Sequence, residues 1–329
     1  MYMTIYMDYS KYIVSTAMMF AVLLVYQKYK NYDEEDDDYR NYNIVKRYLV
    51  NESSLAKSKL PILWIYMEYS QNSRWWESFY SRNSNDLNQP YLYLTIKSII
   101  DKCGGHFNIC LIDDDSMVNI IPGWNIDINR AAEPIRDKLR NLAQAYLLQF
   151  YGGMFVPPSF LCLKNLADLY YSKSYGGKVI IGELQNENIT STYDTVCVSR
   201  KFIGARKNNK TMNEYIQYLQ QVISSDYTAE STFEGNSDRW FYEKNNSGLL
   251  NIIPAKNLGA KDNADKDIVI DNLISNSYID FYPGAVGVYF PQSQLLNRTS
   301  YLWFVRLNAQ QVMESDTVMG KLLLTNCSR

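Results

Sequence analysis

Histidine is nearly absent from this chain. Its 329 residues include one, His106, so there is no histidine cluster for a metal and no second imidazole for a proton relay. CxxC pairs are absent too: the five cysteines, Cys103, Cys110, Cys162, Cys197 and Cys327, are scattered. An odd, unspaced set excludes a disulfide framework and a zinc knuckle. The apolar residues around Cys162 mark it as core, where a thiol is mostly inert. There is no excess of positive charge either. Against 33 lysines and arginines stand 35 aspartates and glutamates, a formal net charge of −2, so no broad basic face points to nucleic acid as a partner. No internal repeat is visible, and the only biased stretch is a short acidic run.

What is present is an ordinary globular composition, 47% hydrophobic and 21% charged, in a chain long enough for one large domain or two modest ones. One long run lacks charge, Tyr12–Tyr26 (YIVSTAMMFAVLLVY), flanked by Lys11, Lys28 and Lys30. As a helix it rises about 22 Å, short of a ~30 Å hydrocarbon core. Tyrosine ends and snorkelling lysines can close that gap. Residues 1–30 are therefore expected to be a single-pass membrane anchor, with the C-terminal flank favoured as cytosolic. A cleaved signal and a buried or interfacial helix are the alternatives; no small-residue cleavage site follows the run. Residues 31–58 carry Asp33-Glu34-Glu35-Asp36-Asp37-Asp38 among tyrosines. Such a block repels itself and reads as a solvated stalk, not a calcium site, because nothing holds its carboxylates in one geometry.

Residues 59–329 read as the globular domain. Leu60–Tyr66 is an apolar first strand, followed by a polar loop at Ser70–Gln89. Pro90 opens a helix over Tyr91–Cys103, with apolar residues at helical spacing, and Gly104-Gly105 stops it. Phe107–Ile112 is a second strand with Asp113-Asp114-Asp115-Ser116 at its carboxyl end. Strand, helix, strand at this spacing predicts a βαβ unit, hence a parallel sheet, whose ligands collect at the carboxyl ends of strands. Asp113 and Asp114 are candidate ligand-binding residues on that ground, with a helix cap and plain solvation as the alternative roles. Asp127, Glu133 and Asp137 are near in sequence, but spacing does not aim them. Ala131–Phe150 is a second amphipathic helix, with Leu139, Leu142, Ala143, Tyr146, Leu147 and Phe150 on one face, ended by Gly152-Gly153. Met154–Val156 then runs into Pro157-Pro158.

Taken in order, LPILWIY, LTIKSII, FNICLIDDDS, the helix ending LLQFYGG, the three-residue strand and CLKNL resemble one family over about Leu60–Leu169. It is the family of Asp-X-Asp sugar transferases related to yeast mannosyltransferase and capsular-polysaccharide synthesis proteins, and the chain is similar to members in large DNA viruses. Phe202–Arg206 resembles a second short segment of that family. The resemblance implies an α/β fold of the GT-A kind: a nucleotide-sugar-binding domain with a mostly parallel central sheet, here preceded by the N-terminal hydrophobic helix. It also implies a divalent cation, Mn or Mg, held by two carboxylates shortly after YGG to neutralise the departing diphosphate. An Asp and an Arg on the preceding helix would help hold the nucleotide.

The chain departs from that pattern at each of these points. Pro157 and Ser159 stand where the metal carboxylates belong, and Asn141 and Gln144 where the helical Asp and Arg belong. The expected binding residues are Asp113, Asp114, Asn141, Gln144, Tyr151, Gly152, Gly153 and Ser159, with no metal ligand and no assigned catalytic residue. The expected function is a membrane-anchored, glycosyltransferase-like protein on a virion or host membrane. Its metal-dependent transfer is lost or altered, and its partner is a nucleotide sugar, a glycan or a protein. The alternative is an active transferase working without the Asp-X-Asp site.

The C-terminal half predicts strands at Lys178–Glu183, Thr195–Ser199, Leu249–Pro254 and Asp267–Ile270. It also predicts an amphipathic helix at Asn208–Ser224, a surface helix within Ala229–Tyr242 carrying a buried Trp240, and a short helix near Met319–Leu324; the resemblance implies as the alternative for Ala229–Tyr242 that Glu230, Glu234 and Asp238 beside Trp240 bind an acceptor sugar.

Overall fold

The computed structural model describes residues 59–67, 91–186, 196–225 and 235–327. The apolar run at Tyr12–Tyr26, the acidic stretch and the polar loop at Ser70–Gln89 lie outside these residues. Among the described residues no helix is long and apolar enough to cross a membrane.

The chain folds as an α/β domain around a six-stranded, mostly parallel sheet. In chain order, β1 (Ile62–Tyr66) leads through α1 (Tyr91–Cys103) to β2 (Asn108–Ile112), then to the short α2 (Asp114–Ile120) and the long α3 (Ile135–Tyr151). Next come β3 (Gly153–Phe155), β4 (Phe160–Cys162), α4 (Ala167–Lys173), β5 (Val179–Gln185), β6 (Val196–Ala205) and α5 (Lys210–Ser224). The remaining elements are α6 (Asn236–Lys244), β7 (Leu250–Ile253), α7 (Ile270–Ile274), β8 (Gly287–Tyr289) and four short helices ending with Val318–Cys327.

The sheet order is β2-β1-β3-β6-β5-β7, with β4 and β8 forming a separate two-stranded ribbon. β1 runs parallel to both neighbours, Tyr66 facing Ile112 and Trp64 facing Phe155. β6 runs antiparallel to β3 and β5, while β5 and β7 are parallel. The predicted βαβ unit is therefore present, and β3 lies on the other side of β1 from β2.

Two apolar layers sandwich the sheet because alternate strand residues point to opposite faces. Leu63 and Ile65 join α1, Cys162, Phe290 and the C-terminal helices on one face. Ile62 and Trp64 join Leu142, Leu147 and Phe150 of α3 and the buried stripe of α5 on the other. Cys162 is fully buried, with its Sγ 3.8 Å from that of Cys103 on α1. Asn209, which opens an Asn-Lys-Thr triplet, is buried as the N-cap of α5 and so is not placed to accept a glycan.

Three sequence expectations need correction. β6 is longer than Thr195–Ser199 and takes in Phe202–Ala205; Arg200 and Lys201 interrupt the apolar alternation at mid-strand and hide its continuity. Asp267–Ile270 is not a strand. Asp267 makes one isolated bridge to Lys261, and Asn272 then folds back to accept the Val269 N–H, starting α7. On α6 the buried aromatic is Phe241, while Trp240 is half-buried over Tyr215 and Tyr218.

The joint between α3 and β3 is the tightest in the sheet. Gly152 (φ 71°) closes the helix and Gly153 (φ 103°) opens the strand. A Cβ on Gly153 would lie 2.1 Å from the Ile62 carbonyl oxygen. Gly153→Ala is expected to cost at least about 2 kcal/mol, from positive-φ strain and the clash together. Urea melts measure it, and a loss under about 0.5 kcal/mol, the range of a neutral surface change, would contradict the assigned geometry.

Candidate functional site

The carboxyl ends of β1 and β3 open onto a cavity of about 670 Å³. Tyr66 ends β1, and Phe155–Ser159 continue from β3 across its floor. α3 supplies Asp137, Lys138, Arg140 and Gln144; β6 supplies Ser199, Arg200 and Lys201; Asp238 comes from α6 and Tyr289 from β8. This is where an open, mostly parallel sheet offers a ligand its crevice. Thr95 of α1, its Oγ1 2.6 Å from the Pro158 carbonyl, fixes the double-proline segment from below.

Two ion-pair groups shape the walls. The first joins β1, α2 and α3. Arg140 meets Asp114 through Nε (3.2 Å to both oxygens) and Nη2 (2.8 Å), and the Tyr66 hydroxyl donates to Asp114 Oδ1 at 2.6 Å. The Arg140 guanidinium also lies 5.9 Å from the centre of the Tyr66 ring. These side chains are only 12% (Asp114) and 14% (Arg140) exposed, so the pair is largely desolvated.

The second group joins α3, β6 and α6. Arg200 Nη2 donates to Asp137 Oδ1 at 2.7 Å, and Asn141 Nδ2 donates to Asp137 Oδ2 at 3.1 Å. Asp238 accepts from the Arg200 backbone N–H at 3.1 Å. Burial alone would lower the Arg200 pKa, but Asp137 and Asp238 outweigh it and hold the guanidinium charged. Asp137 lines the cavity and keeps 40% of its side-chain surface exposed. Burial pushes its carboxyl up; Arg200 and Lys138 push harder in the other direction and leave it below the usual carboxylate range. Burial wins at Asp238, whose pKa is raised, and at Lys138, whose pKa is lowered.

The residues singled out in the sequence fall into three places. Gln144 and Ser159 line the cavity. Asp114 stands behind its wall, bound to Arg140, and Asn141 lies buried against Asp137. Asp113 has the capping role: its carboxylate accepts the Ser116 N–H at 2.8 Å and starts α2. Tyr151, Gly152 and Gly153 build the joint under the site. The Tyr151 hydroxyl donates to the Ile120 carbonyl, and the Gly152 carbonyl accepts from the Trp64 indole N–H at 3.0 Å. The sequence reading passed over Tyr66, Arg140, Arg200, Lys201 and Tyr289. The one available signal was the spacing of Asp137 and Arg140, three apart on the helix face that Gln144 shares.

Among the described residues no group of three or more His, Cys, Asp or Glu side chains is placed to hold a metal ion. At the end of β3 the donor set does not suit a divalent cation: two prolines bring no ligand and Ser159 brings one hydroxyl. Two buried polar atoms bordering the cavity, Ser159 Oγ and Gln185 Oε1, have no hydrogen-bond partner in the structure. Such atoms are costly unless something else satisfies them. No model of a known family matches the chain, and no curated protein matches it either.

Asp113 and Asp114, adjacent in sequence, should respond differently to truncation. Asp113→Ala should cost about 1 kcal/mol, the worth of a cap, and Asp114→Ala about 3 kcal/mol, because it strands Arg140. Chemical denaturation compares them, and equal costs would contradict the pairing. Acid stability gives a separate check. A carboxylate depressed in the folded state contributes stability that is present above its unfolded pKa, near 3.9, and lost as pH falls through the lower folded value. Asp137→Asn should therefore flatten the loss of stability below about pH 4, read from urea melts at stepped pH; an unchanged slope would count against the Asp137–Arg200 contact.

Proposed function

We propose that the chain is a glycosyltransferase-like protein that binds a nucleotide sugar or a glycan in this cleft, on a GT-A-like domain. Its resemblance to the Asp-X-Asp sugar transferases supplies the class, and the membrane anchor expected at residues 1–30 supplies the location. The single observation that carries the reading is the end of β3. The segment that follows Tyr151-Gly152-Gly153 enters the cavity beside Tyr66, where the family pattern calls for metal carboxylates, and delivers Pro157, Pro158 and Ser159. The surrounding scaffold supports binding, while this donor set argues against the family's metal-dependent transfer.

A second reading, active transfer without the metal pair, is favoured by one feature. The Asp-X-X-Arg spacing that the family pattern sets at 141 and 144 occurs one helical turn earlier, as Asp137 and Arg140, and both side chains line the cavity. A shift of four residues stays on the same helix face, so the nucleotide-holding pair is retained in kind and displaced by a turn. On either reading no nucleic-acid partner is expected.

Thermal shift with UDP- and GDP-sugars, in EDTA and with Mn²⁺, tests the proposal. A cognate donor at a hundredfold excess over Kd should raise Tm by about 5 °C or more, with no further gain from Mn²⁺. No shift with any nucleotide or nucleotide sugar would remove the proposal. A shift that needs Mn²⁺ would restore metal-dependent binding through other side chains. Release of free sugar or of nucleoside diphosphate during the titration would favour the active reading.

A further inference from the structure

We infer that the side-chain amide of Gln185 accepts a hydrogen bond from a ring hydroxyl of the sugar, and so reads the carbohydrate part of the ligand. The inference rests on the nucleotide-sugar or glycan reading and deepens it by naming the residue that meets the sugar. Gln185 is the last residue of β5. β6 is antiparallel to both β3 and β5, so β5 runs in the same direction as β3 and β1. The carboxyl ends of all three strands therefore lie along one edge of the sheet, and Tyr66, Phe155 and Gln185 border the same cavity. β5 extends the ligand crevice two strands beyond β3.

The amide is held in one orientation. Gln185 Nε2 donates to the Ile268 carbonyl at 2.9 Å. A carbonyl only accepts, so the NH2 end must face Ile268 and the oxygen must take the other side. The anchor is part of the core: Ile268 is buried, and its own N–H is bonded to the Ala260 carbonyl at 3.0 Å. Gln185 is 6% exposed, and its Oε1 is buried with no partner among the described residues. A buried acceptor left unpaired is costly. The terminal torsion of a glutamine is broad, so a small turn about the Ile268 bond presents the oxygen to a donor in the cavity.

The chemistry of that donor follows from what the amide oxygen can do. It accepts and carries no charge, so it offers nothing to a phosphate, whose oxygens also accept. Its partner is an O–H or N–H group. Hydroxyls are the donors that a nucleotide sugar and a glycan have in common, several to each sugar ring, whereas a base N–H belongs to the nucleotide alone. Ser159 Oγ, the other unpartnered atom at the cavity, both donates and accepts, so it does not choose between ligand groups. Gln185 does. A site with a built-in acceptor rejects a ligand that lacks the matching hydroxyl, because the buried oxygen then stays unpaired.

Calorimetric titration of the full chain in EDTA with UDP-glucose, UDP-galactose and GDP-mannose, and with UDP and GDP, tests the assignment. For the wild type, at least one nucleotide sugar should bind at least about tenfold more tightly than its diphosphate, the worth of a hydrogen bond to a buried acceptor. Gln185→Met keeps the length of the side chain and removes the oxygen. It should erase that sugar gain and leave UDP and GDP within about twofold; the retained diphosphate binding reports that the variant is folded. Single-deoxy analogues of the preferred sugar give a measurement that needs no variant. One deoxy position should cost the wild type at least about tenfold, and the same position should cost Gln185→Met nothing. A wild type without a sugar gain, a gain that survives in Gln185→Met, or indifference of the wild type to every deoxy position would each overturn the role of Gln185 and leave the nucleotide reading standing. An equal loss for nucleotide sugar and diphosphate would do the same, assigning the amide to the base or to the framework. Failure of the wild type to bind any of these probes would overturn both readings.

Discussion

No side chain fits between the start of β3 and the Ile62 carbonyl, and the rest of the site depends on that close approach. Gly153 lets β3 pair with β1 immediately after a 17-residue helix, with Gly152 as the only intervening residue. Trp64 then locks the joint. Its indole N–H is bonded to the Gly152 carbonyl, its ring stacks on Phe155 at 6.1 Å, and its edge meets Tyr151 at 5.8 Å. One tryptophan thus holds the helix end, the turn and the following strand. With those three fixed, the chain beyond Phe155 has little choice about where Pro157 and Ser159 go.

The charges of the cleft follow a related logic. Tyr66, Asp114 and Arg140 bring together three elements that are far apart in sequence, and each member would be costly alone in so dry a place. Asp137 and Arg200 do the same between α3 and β6. These pairs hold the walls at set separations before any ligand arrives, which lowers the ordering cost of binding. They also use up most of the strong charge. Of the buried polar atoms that border the cleft, the Ser159 hydroxyl and the Gln185 amide oxygen have no partner among the described residues.

The scaffold was legible where periodicity was undisturbed. β1, α1, β2 and α3 each show a clean apolar pattern ended by glycine or proline, so their existence and order could be read directly. β6 was only half legible, because its cleft-lining residues, Arg200 and Lys201, are the ones that break its strand pattern. The triple aspartate shows a different limit. Asp113 caps a helix, Asp114 holds an arginine and Asp115 accepts from Asn129 at 2.8 Å, three roles that a run of identical letters cannot separate. The Asp-X-X-Ser spacing from Asp113 to Ser116 did offer a capping signal. Nothing local pairs Asp114 with a residue 26 positions away, or sets Tyr289 beside Lys201, 88 positions before it. Long-range pairing is decided by packing.

The ribbon of β4 and β8 has a consequence for how the molecule is made. β4 ends at Cys162 and its partner begins at Gly287, so more than a hundred residues must be added before that strand finds its mate. A chain emerging from the ribosome can assemble β1, β2 and β3 early, since these come first and β1 pairs with both of the others. Its cleft nevertheless lacks the wall bearing Tyr289 until translation has passed that residue, and such late, distant closure is slow to form. The complete cleft therefore belongs to nearly finished polypeptide, and an early-terminated product would keep the central strands without that wall.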